Sequence, residues 1–375
     1  MYELIKYITI KICDGCNFDC KYCFEAHSKR QQTTVLKDID KIKRFILTLP
    51  LADEVLISLI GGEVGLYYDL AISIAKELKK IERYKDTTIK FCITTNGTNI
   101  DKFLGYRKLF SYDDFRISWD GIHAADIAQV STNEQIAKCI RDIGSSNYKD
   151  NILITIAITN DSIDTLADSF EYAIQHGCTK FNYYFIFNDE FDKEYMTKEF
   201  QYRFITQLNR IYELYDKYHF TFEDINMLSY KYFINPSYSY RHKCKFLDNL
   251  LVINSDENIY PCLMLEETNT LNNHYCLGNL TEGLNKDSIK KFESMYNNIL
   301  TTNHKVCESC SNKSVCIECP IEEYHRIQIT NDCIVRKIYH NIEERIFKEN
   351  IDIVRKNLDY YKMKKKMDYL VRENL

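Results

Sequence analysis

From Leu4 to about Phe187 the chain repeats one pattern: a short run of β-branched or aromatic residues, a polar turn, and a stretch with helical periodicity. This alternation predicts strands that are each followed by a helix. Such units form parallel sheets through right-handed crossovers, and six of them favour an incomplete barrel over a full eight. The predicted strands are Ile5–Ile12, Val55–Ile60, Ile89–Thr95, Phe115–Trp119, Ile152–Ile158 and Phe181–Phe187. The sequence therefore predicts an α/β fold with a partial (β/α)6 TIM-like barrel, whose site lies at the carboxyl ends of the strands.

Helical periodicity places helices between these strands, near 38–48, 69–80, 99–110, 133–143 and 162–176, with Gly177 as a C-terminal cap. After the barrel, Lys193 to Tyr218 is predicted to form one long charged helix. Cys244 to Cys333 holds eight of the fifteen cysteines and few long periodic segments, so metal is expected to organise it. The predicted segments are the barrel at 1–190, a bridging helical segment at 191–240, a cysteine-rich domain at 241–335 and a C-terminal helix at 336–375.

Composition narrows the possible partners. Hydrophobic residues make up 45% and charged residues 27%, which is typical of a folded globular protein. A formal net charge of −5 disfavours nucleic acid as a partner. No apolar run approaches the ~20 residues of a membrane span, and the first twelve residues lack the order of a signal peptide. We therefore expect a cytoplasmic protein without a membrane partner, in which disulfides do not account for the cysteines.

The first cysteine cluster follows the first predicted strand. Cys16, Cys20 and Cys23 are spaced CxxxCxxC, so three thiolates can bind three corners of one compact 4Fe–4S cluster and leave one iron without a protein ligand. A zinc site and three unrelated loop thiols are the alternatives, and structural zinc normally takes four ligands. Cys13 could supply a fourth ligand, but it is interpreted as a core thiol of the strand. The spacing favours iron and sulfur.

With an aromatic residue before its last cysteine, this loop resembles that of the radical S-adenosylmethionine (radical SAM) superfamily. Three further elements match the family in order, each at the end of a predicted strand. They are Gly61-Gly62-Glu63 for the GGEP element with Val64 in place of proline, Thr95-Asn96-Gly97 for TNG, and Ser118-Trp119-Asp120-Gly121 for SxDG. A lone GGE is most often only a glycine turn, whereas four ordered elements are specific.

The resemblance implies that the open iron chelates the methionine part of SAM and that an electron from the cluster splits SAM into methionine and a 5′-deoxyadenosyl radical, which abstracts a substrate hydrogen. The protein then holds SAM, seats the target C–H bond and excludes water. By the same resemblance, the SAM-binding residues are Gly61, Gly62 and Glu63 at the ammonium, Tyr22 beside the adenine, Ser118 at the ribose, and Asn96 and Asp120 in the same wall.

The second cysteine group begins with Cys244 and Cys262. Cys307, Cys310, Cys316 and Cys319 follow and, taken alone, fit a zinc ribbon or an iron–sulfur site equally. With Cys333, the seven resemble a SPASM extension with two auxiliary 4Fe–4S clusters. The segment DENIYPC, from Asp256 to Cys262, resembles its DGxxYPC hairpin with Glu257 in place of glycine, and Cys319 follows Cys316 after two residues rather than three. Gly278-Asn279 resembles its GN turn.

The resemblance also implies how the two auxiliary clusters are bound. One would take Cys307, Cys310, Cys316 and Cys333, and the other Cys244, Cys262 and Cys319. One iron corner is then left for Cys276 or for a substrate group. For Cys276, an eighth ligand, a buried strand thiol and a surface bystander remain open, whereas Cys92, Cys139 and Cys178 are interpreted as core thiols. Three clusters and SAM are the expected cofactors.

SPASM members mostly modify ribosomally made peptides or proteins, so the leading function is a peptide maturase that forms a thioether or carbon–carbon crosslink, or an epimer, in a precursor peptide. Thioether formation is the leading chemistry. An auxiliary iron that lacks a protein ligand could bind the thiolate of a substrate cysteine. A sulfatase-maturase-like enzyme ranks lower, because that group carries an aspartate where this chain has Leu263. A non-catalytic metal-binding protein is the third alternative.

The expected partners follow from the peptide maturase. They are the precursor peptide and a reductant such as flavodoxin or ferredoxin. Only fifteen residues precede Cys16, too few for a fused peptide-recognition domain. A separate leader-peptide-binding protein, or the SPASM surface together with the basic run Lys362–Lys366, is therefore expected to bind the leader. The alternative interpretation of this run is a solvated helix face without a binding role.

Overall fold

Among the residues that the computed structural model describes, six strands alternate with five α-helices from Ile5 to Phe185. The structure describes residues 4–20, 22–23, 34–106, 109–110, 115–122, 133–145, 152–186, 193–234, 249–265, 275–307 and 334–358. The elements are β1 (Ile5–Lys11), α1 (Ile39–Thr48), β2 (Leu51–Ile60), α2 (Tyr68–Lys79), β3 (Thr88–Thr95), α3 (Ile100–Leu104), β4 (Phe115–Ser118), α4 (Asn133–Ser145), β5 (Ile152–Ile158), α5 (Leu166–Gln175) and β6 (Lys180–Phe185). The predicted α/β class with a partial barrel is confirmed.

Later elements depart further from the sequence predictions. They are α6 (Lys198–Tyr218), β7 (Thr221–Phe222), α7 (Glu223–Phe233), β8 (Leu250–Ile253), β9 (Asn258–Tyr260), β10 (Gly278–Asn279), β11 (Gly283–Leu284), α8 (Lys286–Cys307), α9 (Ile334–Glu349) and α10 (Ile351–Asn357). The long charged helix begins at Lys198 rather than Lys193, because the Thr197 side chain caps it by accepting a hydrogen bond from the Phe200 N–H.

Two predicted helices were wrong in extent, and a third helix was not predicted. The helix expected over 99–110 ends at Leu104, where Gly105 follows, and glycine is a poor helix former. The single C-terminal helix is two helices separated at Asn350, and its basic run lies outside the described residues. In the cysteine-rich segment, the 22-residue helix α8 was missed, since its apolar stripe is set among lysines and asparagines.

The described chain forms two compact units. The first combines Met1–Trp119, Ala124–Ile154 and Lys245–Tyr296, and its strands follow the order β11-β10-β9-β8-β1-β2-β3-β4. Strands β1 to β4 are parallel, and β8 adds a further parallel strand beside β1. Strands β9, β10 and β11 continue antiparallel. The start of the predicted cysteine-rich segment therefore shares a sheet with the barrel, across the boundary predicted at residue 241.

Side-chain burial alternates along the parallel strands of the first unit and shows which face of the sheet packs into the core. Ile8, Ile10, Ile57 and Leu59 are fully buried, whereas the residues between them are half-buried. Because side chains of a strand alternate between its faces, one face packs into the core and the other stays partly open. The loops at the carboxyl ends of these strands carry the predicted motifs.

The second unit comprises Asp120–His123, Thr155–Cys244 and Asn297–Leu375. Strand β7 pairs in parallel with β6, and Phe181 of β6 stacks on Phe170 of α5 with ring centroids 4.9 Å apart. Helix α9 is anchored by the Tyr339 hydroxyl, which donates to the Tyr195 carbonyl at 2.6 Å. The unit therefore has an aromatic core. Gly177, at φ 94°, ends α5 as predicted. Among the described residues, no helix combines the length and apolar character needed to cross a bilayer.

The β8–β9 hairpin turn holds Glu257 at the position where the resemblance expects glycine. Its φ is 69°, in the left-handed region that favours glycine, and its N–H donates to the Asn254 carbonyl at 2.9 Å. Its carboxylate contacts the Lys41 ammonium of α1. The turn keeps the backbone of a glycine turn and adds an ion pair to the neighbouring helix.

Two substitutions at Glu257 separate the effect of the left-handed backbone from that of the ion pair with Lys41. Both Glu257→Gly and Glu257→Ala remove the ion pair with Lys41, but only glycine relieves the left-handed backbone. We expect the glycine variant to be the more stable of the two by about 1 kcal/mol in free energy of unfolding, measured by urea denaturation. Equal stabilities would show that the turn relaxes to another conformation.

Candidate active site

The loop that follows β1 carries Cys16, Cys20 and Cys23, and none of the three forms a disulfide. Cys16 is exposed, and Cys20 and Cys23 are half-buried. The Phe18 N–H donates to the Cys16 sulfur at 3.3 Å, and the Cys23 N–H closes a turn on the Cys20 carbonyl at 3.0 Å. Although Cys16 is exposed as a residue, desolvation of its sulfur by the surrounding loop raises the pKa of the thiol, and the Phe18 hydrogen bond partly offsets this. Such thiols become thiolates when they bind iron.

Cys13 is a core thiol, as predicted, although β1 ends at Lys11 and Cys13 lies beyond it. Its side chain is fully buried, and burial raises its pKa to about 12. The thiol lies directly under the Gly61 backbone, since a Cβ added at Gly61 would lie 2.6 Å from the Cys13 sulfur. A buried thiol in this position serves packing.

The glycine pair after β2 packs against the start of the cysteine loop. A Cβ at Gly62 would lie 2.5 Å from the Gly15 carbonyl oxygen and 2.6 Å from the Asp14 carbonyl oxygen. The Gly62 N–H donates to the Cys13 carbonyl at 2.9 Å, and the Glu63 N–H donates to the Gly15 carbonyl at 2.8 Å. The two glycines therefore permit a close contact of two backbones, which holds the GGE turn beside the cysteine loop.

Glu63 is buried, with 1% of its surface exposed. Its carboxylate accepts hydrogen bonds from the Gly65 N–H at 2.6 Å, from the Asn96 N–H at 2.7 Å and from the Thr95 hydroxyl. Burial raises the pKa of this carboxyl, while these donors lower it in part. Glu63 thus joins the turn after β2 to the turn after β3. Its contact with the SAM ammonium stays a prediction.

Val64 stands where the family has proline, and it is fully buried at the start of a 3-10 turn over Val64–Tyr67. Glu63 caps that turn through the hydrogen bond from Gly65. A buried valine and a side-chain cap therefore take the place of the proline ring in shaping the chain after Glu63.

A second set of contacts ties the cysteine loop to the β8–β9 hairpin. The Lys11 ammonium lies 3.0 Å from the Asp14 carboxylate, and both side chains are less than a tenth exposed. The Ser255 hydroxyl of the hairpin donates to the same carboxylate oxygen at 2.8 Å. A buried ion pair needs such extra hydrogen bonds to offset its desolvation. Ser255 was missed by the sequence analysis, because no pattern connects residues 241 positions apart.

The other residues predicted to bind SAM lie in the first cysteine loop and at or just after the ends of β3 and β4. Tyr22 is half-buried between Cys20 and Cys23, and Ser118 is the half-buried last residue of β4. Asn96 is half-buried directly after β3, and its carboxamide donates to the Asn17 carboxamide oxygen at 2.8 Å. Asp120 belongs to the second unit and is 7% exposed. The turn that follows Asp120 is fixed by the Ile122 N–H, which donates to the Ser169 hydroxyl at 3.0 Å.

The second cysteine group is described in part. Cys262 is half-buried just after β9, and Cys276 is half-buried with its thiol 3.2 Å from the Gly278 carbonyl. Cys307 is the last residue of α8, and only its backbone is described. Outside the described residues lie Cys244, Cys310, Cys316, Cys319 and Cys333. The predicted core thiols Cys92, Cys139 and Cys178 are buried, at 3%, 5% and 3% exposure.

The donor set of the first loop fits an iron–sulfur cluster. It offers three thiols, and the close contact of Gly62 with Gly15 fixes the backbone at its start. Among the described residues, no three His, Cys, Asp or Glu side chains converge on a point that could hold a single metal ion. Ligands of a cubane bind different iron atoms, so they need no such point.

Family comparison agrees with this loop and with the turns around it. Residues 10–173 match the family model described as "Radical SAM superfamily", and this span contains the cysteine loop and the GGE, TNG and SxDG elements. These residues form a radical SAM domain. The family implies a 4Fe–4S cluster and SAM as cofactors.

One sequence relative and two solved structures are similar to most of the chain. An uncharacterized protein of Methanocaldococcus jannaschii is 24% identical over 298 residues, which cover 78% of this chain and 95% of that protein. The solved structure of anSMEcpe with bound AdoMet has a TM-score of 0.71 at 18% identity, covering 97% of this chain and 98% of that one. Streptococcus suis SuiB bound to its precursor peptide SuiA has a TM-score of 0.53 at 16% identity, with 87% and 73% covered. At these identities, the likeness to the two structures is one of fold.

Proposed function

We propose that this enzyme is a peptide maturase of the SPASM type, which abstracts hydrogen from a ribosomally made precursor peptide and forms a thioether or another crosslink. Bound SAM would supply the hydrogen-abstracting radical once the cluster reduces it. The protein's own part is to hold the loop of Cys16, Cys20 and Cys23 against the turns after β2 and β3, and to keep water from the reacting atoms.

The observation that carries the proposal is the attachment of the Cys262 hairpin to the SAM-cluster loop. Strand β8 lies in parallel beside β1, and Ser255 bonds to Asp14, two residues before Cys16. The hairpin then leads through β9 to Cys262. A cysteine hairpin built onto the edge of the barrel sheet is what an auxiliary cluster near the SAM site requires.

A peptide as substrate is supported by the structures that share this fold. SuiB has been solved with its precursor peptide, and anSMEcpe with AdoMet and a peptide named Kp18Cys. The high TM-score of anSMEcpe would favour a sulfatase-maturase-like enzyme, but at 18% identity it shows only that the two chains share a fold. Leu263, directly after Cys262, offers no carboxylate as a proton acceptor, so the crosslinking maturase remains the stronger proposal.

The auxiliary sites are part of the proposal. Cys307, Cys310, Cys316 and Cys333 would bind one cluster, and Cys244, Cys262 and Cys319 the other. Cys276 lies two residues before β10, whose Gly278 pairs with Ile259 of β9, so an eighth thiol lies in the same hairpin region as Cys262. An electron must leave after C–S bond formation, and these clusters offer its route.

The partners are proposed on the same basis. A flavodoxin or ferredoxin would reduce the SAM cluster, and a separate leader-binding protein would present the precursor. Cytoplasmic localisation is consistent with the oxygen sensitivity of such clusters and with described cysteines that form no disulfide.

The test is co-expression with a short cysteine-rich peptide encoded beside this chain, followed by mass spectrometry of the peptide. A crosslink removes two hydrogen atoms from the peptide and blocks alkylation of the cysteine used, so we expect that mass with the wild type and an unchanged mass with Cys16→Ala. An inverted residue without a change in mass would indicate epimerisation and contradict the crosslink. Peptide unmodified by the wild type, with SAM cleavage verified, would contradict the maturase.

A further inference from the structure

Asn17 is the residue directly after Cys16, at a position that the CxxxCxxC motif leaves unspecified. Both the oxygen and the nitrogen of its half-buried carboxamide form hydrogen bonds. The oxygen accepts from the Asn96 side-chain amide at 2.8 Å, and the nitrogen donates to the Thr98 hydroxyl at 3.1 Å. Asn96 and Thr98 both lie in the turn after β3. One side chain of the cysteine loop thus bonds twice to the turn predicted to line the SAM site.

The three side chains form a closed set of hydrogen bonds. The Thr98 hydroxyl donates to the Asn96 carboxamide oxygen at 2.8 Å, and the Thr98 N–H reaches the same oxygen at 3.1 Å. Each member therefore restrains the orientation of the other two. Networks of this kind specify one arrangement only when all members are satisfied.

The set also connects to the contacts around Glu63. The Asn96 N–H donates to the Glu63 carboxylate, and the Glu63 N–H donates to the Gly15 carbonyl. Gly15 and Asn17 are the two neighbours of Cys16. The residue that would bind one corner of the cluster is therefore held on both sides, at Gly15 by the turn after β2 and at Asn17 by the turn after β3.

We propose that Asn17 is a positioning residue, which sets the cysteine loop, and with it the SAM-binding iron, at the right distance from the turn after β3. It acts through Asn96 and Thr98 and does not itself touch SAM. The inference rests on the radical SAM assignment and not on the identity of the substrate. Displacement of reacting groups by about 1 Å can cost 10²-fold in rate, so loss of two short hydrogen bonds at this position is expected to matter.

The test compares anaerobically reconstituted full-length variants. Asn17→Ala removes both hydrogen bonds. Thr98→Val removes the hydroxyl with little change of shape, and Thr98→Ser restores it. Asn99→Ala is the matched control, because Asn99 lies in the same turn and its side chain makes no capping hydrogen bond to α3. Each protein is assayed for iron content, thermal unfolding, the KM for SAM, and the change in the electron paramagnetic resonance spectrum of the reduced cluster when SAM is added.

For Asn17→Ala we expect unchanged iron content, a KM for SAM raised roughly tenfold or more, and a spectral response to SAM that differs from that of the wild type. Thr98→Val should shift in the same direction, Thr98→Ser should return towards the wild type, and Asn99→Ala should match it. A wild-type KM and spectral response in Asn17→Ala would overturn the inference. Loss of iron or of folding in Asn17→Ala together with a wild-type response in Thr98→Val would also overturn it, since Asn17 would then be only structural.

These outcomes are separate from the proposed peptide chemistry. SAM binding and 5′-deoxyadenosine formation are measured without peptide, so a failure to modify any peptide would refute the maturase and leave the role of Asn17 standing.

Discussion

Replacing Gly62 by alanine is expected to abolish the formation of 5′-deoxyadenosine from SAM. The added Cβ would lie 2.5 to 2.6 Å from the carbonyl oxygens of Gly15 and Asp14, which belong to backbone and cannot rotate away. The cysteine loop must therefore move away from the GGE turn. Overpacking of this kind costs about 1–3 kcal/mol in free energy of unfolding, and displacement of the loop removes the geometry for SAM binding. Chromatography of the reduced reaction and denaturant unfolding measure the two effects.

Gly105→Ala is the matched control for this substitution. A Cβ at Gly105 meets nothing within 4 Å, and its φ of −69° suits any residue. We expect wild-type SAM cleavage and stability equal to or slightly above that of the wild type, by roughly 0.4–1 kcal/mol. If Gly62→Ala cleaved SAM as fast as Gly105→Ala does, close contact of the two backbones would not be needed for the reaction.

Replacing Cys16 by alanine is expected to remove SAM cleavage entirely, because two thiolates cannot hold a cubane that needs three protein ligands and a free iron. With three clusters we expect about twelve iron atoms per wild-type chain and about eight in the variant, measured with acid-labile sulfide after anaerobic reconstitution. The auxiliary clusters would be retained, since their ligands lie elsewhere in the sequence.

Cys178→Ala serves as the control for Cys16, because Cys178 is a buried core thiol and is expected to keep the full iron content and wild-type SAM cleavage. Cys16→Ala with unchanged iron and product would refute the assignment of the first loop. Four iron atoms plus zinc in the wild type would refute the auxiliary clusters while leaving the SAM cluster in place.

The sequence was sufficient for the barrel and its motifs, because both depend on local patterns. The period-2 burial of Ile57 and Leu59 in β2, the helical stripes between strands, and the turns at Gly61 and Gly97 are all encoded within short windows. Gly97 has φ 82°, and a Cβ there would meet the Cys139 sulfur at 2.3 Å, so its place after β3 has both a conformational and a packing reason.

What the sequence did not predict are contacts between distant segments. The pairing of β8 with β1 depends on an apolar edge that short-range patterns do not reveal, and Ser255 meets Asp14 only after that pairing forms. Asn17 and Thr98 were overlooked for a similar reason, since each is an ordinary polar residue until the two loops meet. Glu63 was recognised as a motif residue, but its burial and its three protein donors required the structure.

The central claim is that the loop of Cys16, Cys20 and Cys23 holds an iron–sulfur cluster with one iron open to SAM. Its most direct test is to reduce the anaerobically reconstituted full-length protein in the presence of SAM and quantify the products. We expect 5′-deoxyadenosine and methionine in equal amounts. Neither product from protein with verified clusters would contradict the claim.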